Sequence, residues 1–477
     1  MRAYLATSIA VTCATALALP ISLATPAAAL PPGAPAARTA PPSMDPGARD
    51  TTSPAVTSEA DVAGSTQSLP LAPLGDGRRA IGGTGASGGA QGLARRDVRP
   101  FSLVGVVWDD AQAHLHGTVQ VRTRATGSAE WSAWQDVEIH NDDHGADPGT
   151  PEAARGALRG ATAPLWVGDS DGVEVRVQPD RQDDIAAAVA EALPEGLRIE
   201  LVDPGPEPAA DPGPEPRAGL AHGARAVHRA PTVEEAAAAS AAVHRAPTVE
   251  EAAAASVNAQ LASVGTAAIP AAAAAKPYIG PRPKIITRKG WGADERLREK
   301  GFVYTKAVKA AFVHHSATGN KYTCKQAPSV LRSIYRYHTQ SSGWRDFGYN
   351  FAVDKCGNIY EGRAGGVAKP VHGAHTLGFN TNSMGIAVLG TYSSTTPPAA
   401  VVTAVARLTA WKLGLHGVNP KGKTTLVSAG GKYKKGKKVK FNSIAGHRDG
   451  YSTACPGARL YGKLGTARTA SAKYQGR

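Results

Sequence analysis

The chain has 477 residues, of which 42% are hydrophobic and 6% aromatic, with 53 Gly and 35 Pro. That length excludes a lone mini-domain and leaves room for about three domains, while blocks rich in Pro and Ala exclude a uniformly packed chain. The net charge of +14 is unevenly spread: residues 284–477 hold 32 Lys and Arg against 7 Asp and Glu, so a basic C-terminal unit sits on an acidic arm and suits a polyanion such as nucleic acid, anionic lipid or an anionic cell wall.

Residues 1–29 begin with Arg2, continue in an apolar run broken by Pro20, and carry small residues at Ala27 and Ala29. This is the pattern of a cleaved secretory signal; a retained anchor is the alternative, because the run approaches the shortest spanning length. The expectation is a secreted, extracellular protein, with no stable membrane insertion after cleavage. Cys13 would leave with the signal, so Cys324, Cys356 and Cys455 remain. An oxidising compartment favours one disulfide and leaves one thiol to be explained.

Residues 30–99 are rich in Pro, Ala, Gly and Ser and read as disordered. Residues 100–202 hold short alternating runs, among them TVQVRTRA (118–125) and VEVRVQP (173–179), separated by Gly, Asp and Pro. Such runs predict a small, mainly-β accessory domain, most simply a sandwich, interrupted by a helix-like stretch at 183–193. Trp108, Trp131, Trp134 and Trp166 there are either core or a sugar-stacking platform, and core is the commoner use. Residues 203–283 repeat DPGPEP twice and AVHRAPTVEEAAAAS twice. Two copies are too few for a solenoid, so this is a linker, with His228 and His244 as solvated residues rather than ligands.

From residue 284 the pattern turns globular. AVKAAFVHHSATG (307–319) predicts a buried strand ending at His314 and His315. APSVLRSIYRYHTQ (327–340) places Val330, Ile334 and Tyr337 at helical spacing. A hairpin follows, turning at 354–358, then a strand at SMGIAVLG (383–390). A second helix over 398–417 stacks Val401, Val405, Leu408, Trp411 and Leu415 and ends at Gly417. Alternating strands and helices predict an α/β domain with a central mixed sheet and flanking helices.

Two features there carry chemistry: strand-terminal His314, and GHRDGYSTACPG (446–457), with His447 and Cys455 eight positions apart. Two imidazoles and a thiolate suit zinc and leave one tetrahedral position open, as at catalytic sites. A core thiol with unrelated histidines is the alternative reading of the same residues. The zinc reading requires His314 and His447 to come within about 5 Å of the Cys455 sulfur. A Cys324–Cys356 disulfide would tie the loop after the first strand to the hairpin. Lys432, Lys434, Lys435, Lys437, Lys438 and Lys440, among glycines, predict an exposed basic loop or hairpin. It is either a solvated face or a contact for anionic wall polymers; no aromatic-interleaved motif accompanies it, so nucleic acid is not expected as a partner.

AFVHHSATG, GWRDFGYNFAVDKCGNIYEGR, GAHTLGFNTNSMGIAVLG and AGHRDGYSTACPG resemble, in order and spacing, the type 2 N-acetylmuramoyl-L-alanine amidases. That family includes phage lysozymes of the T7 type and animal peptidoglycan recognition proteins. ITRKGWGADE (286–295) resembles its lead-in, and the likeness spans about residues 285–465. Residues 100–202 look like the accessory domain of secreted actinobacterial amidases. The resemblance implies a zinc-dependent hydrolase that cleaves the amide between N-acetylmuramic acid and L-alanine of peptidoglycan at the cell wall. It implies His314, His447 and Cys455 as zinc ligands, and Tyr349 and Thr453 as catalytic residues. His375 and Asn380 fall near the substrate groove, and Cys324 and Cys356 match the family's disulfide. Inactive relatives commonly lack the cysteine ligand, so Cys455 points to activity. Ala364 and Gly365 replace the Gly-Trp pair of animal members that read diaminopimelate peptides, so stem-peptide preference is not readable. His315 should point away from the ligands, and His338, His372 and His416 are expected to be structural or groove residues.

Overall fold

The computed structural model describes residues 63–74, 89–139, 143–180, 192–207 and 278–477. The expected signal segment, the helix-like stretch at 183–193 and the linker repeats lie wholly or largely outside the described residues. All described residues belong to one compact unit, Thr57–Arg477. No helix among them is long and apolar enough to cross a membrane.

The N-terminal domain is one antiparallel sheet of eight strands: β1 (Ser65–Pro70), β2 (Ala72–Pro73), β3 (Gln91–Trp108), β4 (Gly117–Ala125), β5 (Gln135–Val137), β6 (Gly160–Ala161), β7 (Leu165–Pro179) and β8 (Arg198–Asp203). The main path runs β1-β8-β3-β7-β4-β5. Two expectations change. The ordered domain begins before residue 100, because β1 and the first half of β3 are polar strands whose alternation is hidden among Gly and Arg. The strands also share one hydrogen-bonded sheet instead of two separate ones. Register shifts between β3 and β7 let those long strands bend, as bulges do. Trp108 and Trp166 are buried, as core packing requires. Trp131 and Trp134 are half-buried under Arg95, Arg122, Arg124 and Arg176, whose guanidinium carbons lie 4.2–6.0 Å from the ring centres.

The C-terminal domain has a five-stranded mixed sheet in the order β11-β10-β12-β9-β15. Its strands are β9 (Ala310–His315), β10 (Phe351–Val353), β11 (Ile359–Glu361), β12 (Ser383–Val388) and β15 (Ile444–Gly446). β9 is an interior strand, parallel to both neighbours β12 and β15. Each of its residues is buried, which is why its sequence is a continuous apolar run rather than an alternating one. The predicted hairpin is β10–β11: the Asp354 carboxylate accepts the backbone N–H groups of Cys356 and Asn358 across the turn. The lysine-rich segment joins β13 (Lys423–Val427) to β14 (Lys438–Asn442), a separate two-stranded ribbon, and all six lysines named above are exposed.

Helix α1 (Ala327–Arg336) packs Val330 and Ile334, with Tyr337 in the π-type turn that follows, against Leu103, Val107 and Val202 of the N-terminal sheet. The two domains therefore share a core. Gly105 is required at this contact, since a Cβ there would lie 2.3 Å from the Tyr337 hydroxyl. Helix α2 (Ala399–Gly414) buries Val401, Val405, Leu408 and Trp411 on the opposite side of the C-terminal sheet, beside α3 (Leu464–Tyr474). α2 stops three residues before Gly417, and Leu415, beyond its end, is 38% exposed instead of packed.

Cys324 and Cys356 form a disulfide with Cα atoms 6.2 Å apart, closing a loop of 32 residues. Loop closure of this length is worth about 3–4 kcal/mol in the chain-entropy account. Replacing both cysteines by serine is expected to lower unfolding stability by up to that amount, measured by chemical denaturation under oxidising conditions. An unchanged midpoint would show that the unfolded chain gains no freedom from the cut.

Candidate metal centre

Strand register brings the first two histidines together. β15 pairs Gly446 with Val313 of β9, so the next residues along each strand, His447 and His314, sit side by side at the carboxyl ends of parallel strands. Ligand sites in α/β sheets gather at such ends. The ring centres of His314 and His447 are 4.4 Å apart. The chain makes a short helix at His447–Gly450 and then doubles back, with Arg448 N–H donating to the Cys455 carbonyl. This return puts the Cys455 sulfur 3.8 Å from His314 Nδ1. All three residues are buried.

The fourth member of the cluster comes from the other domain. His144, between β5 and β6, joins His314, His447 and Cys455, and one donor atom from each lies within 4.8 Å of every other. Sequence reasoning missed it. The stretch HNDDHGAD (140–147) concentrates ligand-type side chains, which was the available signal, but it lies outside every family motif.

His314 and His447 each have one nitrogen engaged and one left for the centre. His314 Nε2 meets the Thr376 hydroxyl at 3.5 Å while its Nδ1 faces the sulfur. His447 Nε2 meets the Asp143 main-chain carbonyl at 3.1 Å, and its Nδ1 has no hydrogen-bond partner. His144 Nδ1 lies 2.7 Å from Asp143 Oδ1, but neither of its buried ring nitrogens has a hydrogen-bond partner. A carboxylate behind a histidine is the usual support for a metal-ligating imidazole. Buried, unbonded ring nitrogens are costly unless something accepts their lone pairs, and a cation does so.

The electrostatics agree with this donor set. Burial, reinforced by the neighbouring His447 and His144, holds His314 well below its ordinary pKa. Burial brings His447 down to about 3 against the opposing charge of Asp143. Both rings are therefore neutral, the form that binds metal. Burial pushes the Cys455 thiol well above its ordinary value, and the Asp143 charge adds to this. A divalent cation inverts that balance by favouring thiolate. The residues thus fit a zinc ion.

The other expected site residues are placed as follows. Tyr349 is 5% exposed with its ring centre 5.2 Å from that of His314, and burial keeps its phenol protonated as a donor. Thr453 is half-buried; its hydroxyl accepts from Cys455 N–H. His375 is buried behind His314, ring centres 5.3 Å apart, with its nitrogens near Thr376 and Ser383. Asn380 is also buried: its carbonyl oxygen accepts the His375 and Thr376 N–H groups, and its amide donates to Gly145 and Asp147 of the N-terminal domain. Neither His375 nor Asn380 lines an open groove in this structure. His315 points away from the cluster, 3.4 Å from Glu138. His338 stacks on Trp344, and neither His372 nor His416 belongs to the cluster.

Sheet, helices and cluster define the class: a mixed α/β domain with a buried His/Cys donor set at its strand ends. Residues 304–458 match the N-acetylmuramoyl-L-alanine amidase family, and residues 51–212 match the Rv3811 N-terminal galactose-binding domain-like family. The chain is 32% identical over 183 residues to peptidoglycan-recognition protein SC2 of Drosophila melanogaster, covering 38% of this chain and 85% of that protein. It is 30% identical over 188 residues to the human N-acetylmuramoyl-L-alanine amidase, covering 39% of this chain and 28% of that one. Among solved structures it resembles Drosophila PGRP-LB at 25% identity and a TM-score of 0.31, over 38% of this chain and 93% of that one. The chain belongs to the type 2 N-acetylmuramoyl-L-alanine amidase and peptidoglycan recognition protein family.

Proposed function

We propose that this protein is an exported zinc amidase that cleaves the bond between N-acetylmuramic acid and the L-alanine of the stem peptide in peptidoglycan. The observation that supports this most is the convergence of His314, His447 and Cys455, with donor atoms within 4.8 Å, inside the segment that matches the N-acetylmuramoyl-L-alanine amidase family. His314, His447 and Cys455 would hold the zinc ion, the imidazoles through a ring nitrogen and the cysteine as thiolate. When bound, zinc supplies a Lewis acid and lowers the pKa of water toward about 7. Tyr349, protonated at neutral pH, donates a hydrogen bond to the oxygen on which negative charge develops. Thr453, beside the cysteine, orients a reacting oxygen with its hydroxyl. Thr376 holds one nitrogen of His314, and the Asp143 carbonyl one nitrogen of His447, which would fix both rings for metal binding.

The exposed lysines from Lys432 to Lys440 add a basic face that attracts anionic wall polymers, with a reach of about 10 Å at moderate salt. The site of action is the cell wall outside the membrane. The test is mass spectrometry of purified walls after incubation with the protein, with and without chelator. Metal-dependent release of intact stem peptides beginning at L-alanine is expected. Binding to walls that persists after chelation with no peptide released would instead identify a recognition protein.

A further inference from the structure

The segment 143–152 of the N-terminal domain does more than touch the centre. Its docking is built from buried partners. The Asp143 carbonyl accepts from Leu377 N–H at 3.0 Å as well as meeting His447. Asp147 Oδ1 accepts from Gly378 N–H and the Asn380 amide, each at 2.8 Å. Glu152 makes two 2.8 Å bonds with the Arg363 guanidinium, both side chains being buried. In this arrangement a ring nitrogen of His144, neither of which has a hydrogen-bond partner, lies within 4.8 Å of the donor atoms of His314, His447 and Cys455, and the His144 ring centre is 4.5 Å from that of His447 and 5.6 Å from that of Tyr349. The space left beside Cys455, between His144, Tyr349 and Glu138, is about 10 Å³, room for about one water molecule. A glycan with its peptide cannot reach the cluster while the segment is in place.

We propose that this segment is a plug and the folded chain a latent enzyme: His144 fills the fourth position of the metal, with Asp143 holding its ring, and catalysis begins when the segment is displaced. A tetrahedral centre with four protein donors is a closed, structural type of site. Exchanging His144 for water turns the same ion into an open one. The energetics suit a reversible latch. The latch is non-covalent throughout: buried hydrogen bonds, the Glu152–Arg363 ion pair and one metal ligand hold the segment, so displacement by a wall fragment needs no cleavage of the chain.

This proposal rests on the zinc reading but not on amidase turnover, and its test separates them. X-ray absorption at the zinc edge counts the imidazoles in the full-length protein. Three imidazoles and one sulfur are expected in the wild type, and two imidazoles, one sulfur and one oxygen in His144→Ala. Two imidazoles in the wild type would overturn the plug, and that count needs no variant to fold. In parallel, His144→Ala and Asp147→Ala are expected to release stem peptide from walls at least tenfold faster than wild type. Equal rates in all three active proteins would also overturn the plug while leaving the amidase reading intact. If none of the three releases peptide, the amidase reading fails and the imidazole count still decides the plug.

Discussion

Cys455→Ser is expected to lower zinc affinity by more than about 100-fold, since even the loss of a partner behind a ligand costs about 10–100-fold. Cys455 is 2% exposed, and serine is close to it in size, so the fold should survive with one buried hydroxyl in place of a thiol. Serine keeps the position but loses the donor, because its hydroxyl does not ionise as a thiolate does beside a metal. Release of stem peptides should fall below detection, while far-ultraviolet circular dichroism stays that of the wild type. Competition against a chromophoric chelator reads the affinity. A variant that keeps wild-type affinity would remove the sulfur from the ligand set.

The second large effect concerns the ion pair that joins the domains. Arg363 and Glu152 are 4% and 6% exposed and bonded at both oxygens. Removing one partner of such a pair leaves a buried charge alone, at a cost of about 3–5 kcal/mol. Glu152→Ala is expected to lose stability on that scale, leaving the guanidinium with the Phe347 and His372 carbonyls as hydrogen-bond acceptors among the described residues. Hydrogen exchange should show residues 143–159 opening before the sheets do. The pH dependence has a definite sign. Burial alone would raise the Glu152 carboxyl, but the charge and hydrogen bonds of Arg363 outweigh it and hold the carboxyl below its ordinary 4.5. The pair's contribution is therefore fully present above about pH 4.5 and lost as pH falls through the lower folded value. The stability gap between wild type and Glu152→Gln should be constant from pH 6 to 8 and shrink below about 4.5. A gap that widened on acidification would contradict this pairing.

The C-terminal architecture was largely legible because its signals are local. The apolar run through His314, the helical spacing of Val330 and Ile334, and the turn chemistry of Asp354 each act within a few residues. The cluster was legible for a different reason: His314 and His447 are ligand-type residues at strand ends, Cys455 is the one thiol left over, and family motifs surround all three. The polar strands of the N-terminal domain before residue 100 were not, since Ser65–Pro70 gains its pairing from β8, far along the chain. Leu415 looked like core because periodicity continues past the point where the helix stops. His144 carried a local signal in HNDDHGAD (140–147), but no reading that took the domains one at a time could join it to the other three residues. Its role depends on how the two sheets pack, through Gly105 and Tyr337, and on a loop with no periodic pattern. Asn380 shows the same effect, since its amide donates to Gly145 and Asp147 of the N-terminal domain, while His375 is buried among Phe312, His314 and Thr376 of its own domain.

The most direct measurement is the optical spectrum of the protein after replacement of its metal with cobalt(II). One cobalt per chain is expected, with the intense visible bands of a four-coordinate centre and a thiolate-to-cobalt charge-transfer band that is absent in Cys455→Ser. A protein that retains no cobalt after gel filtration, or whose charge-transfer band survives that substitution, would contradict a shared ion held by His314, His447 and Cys455.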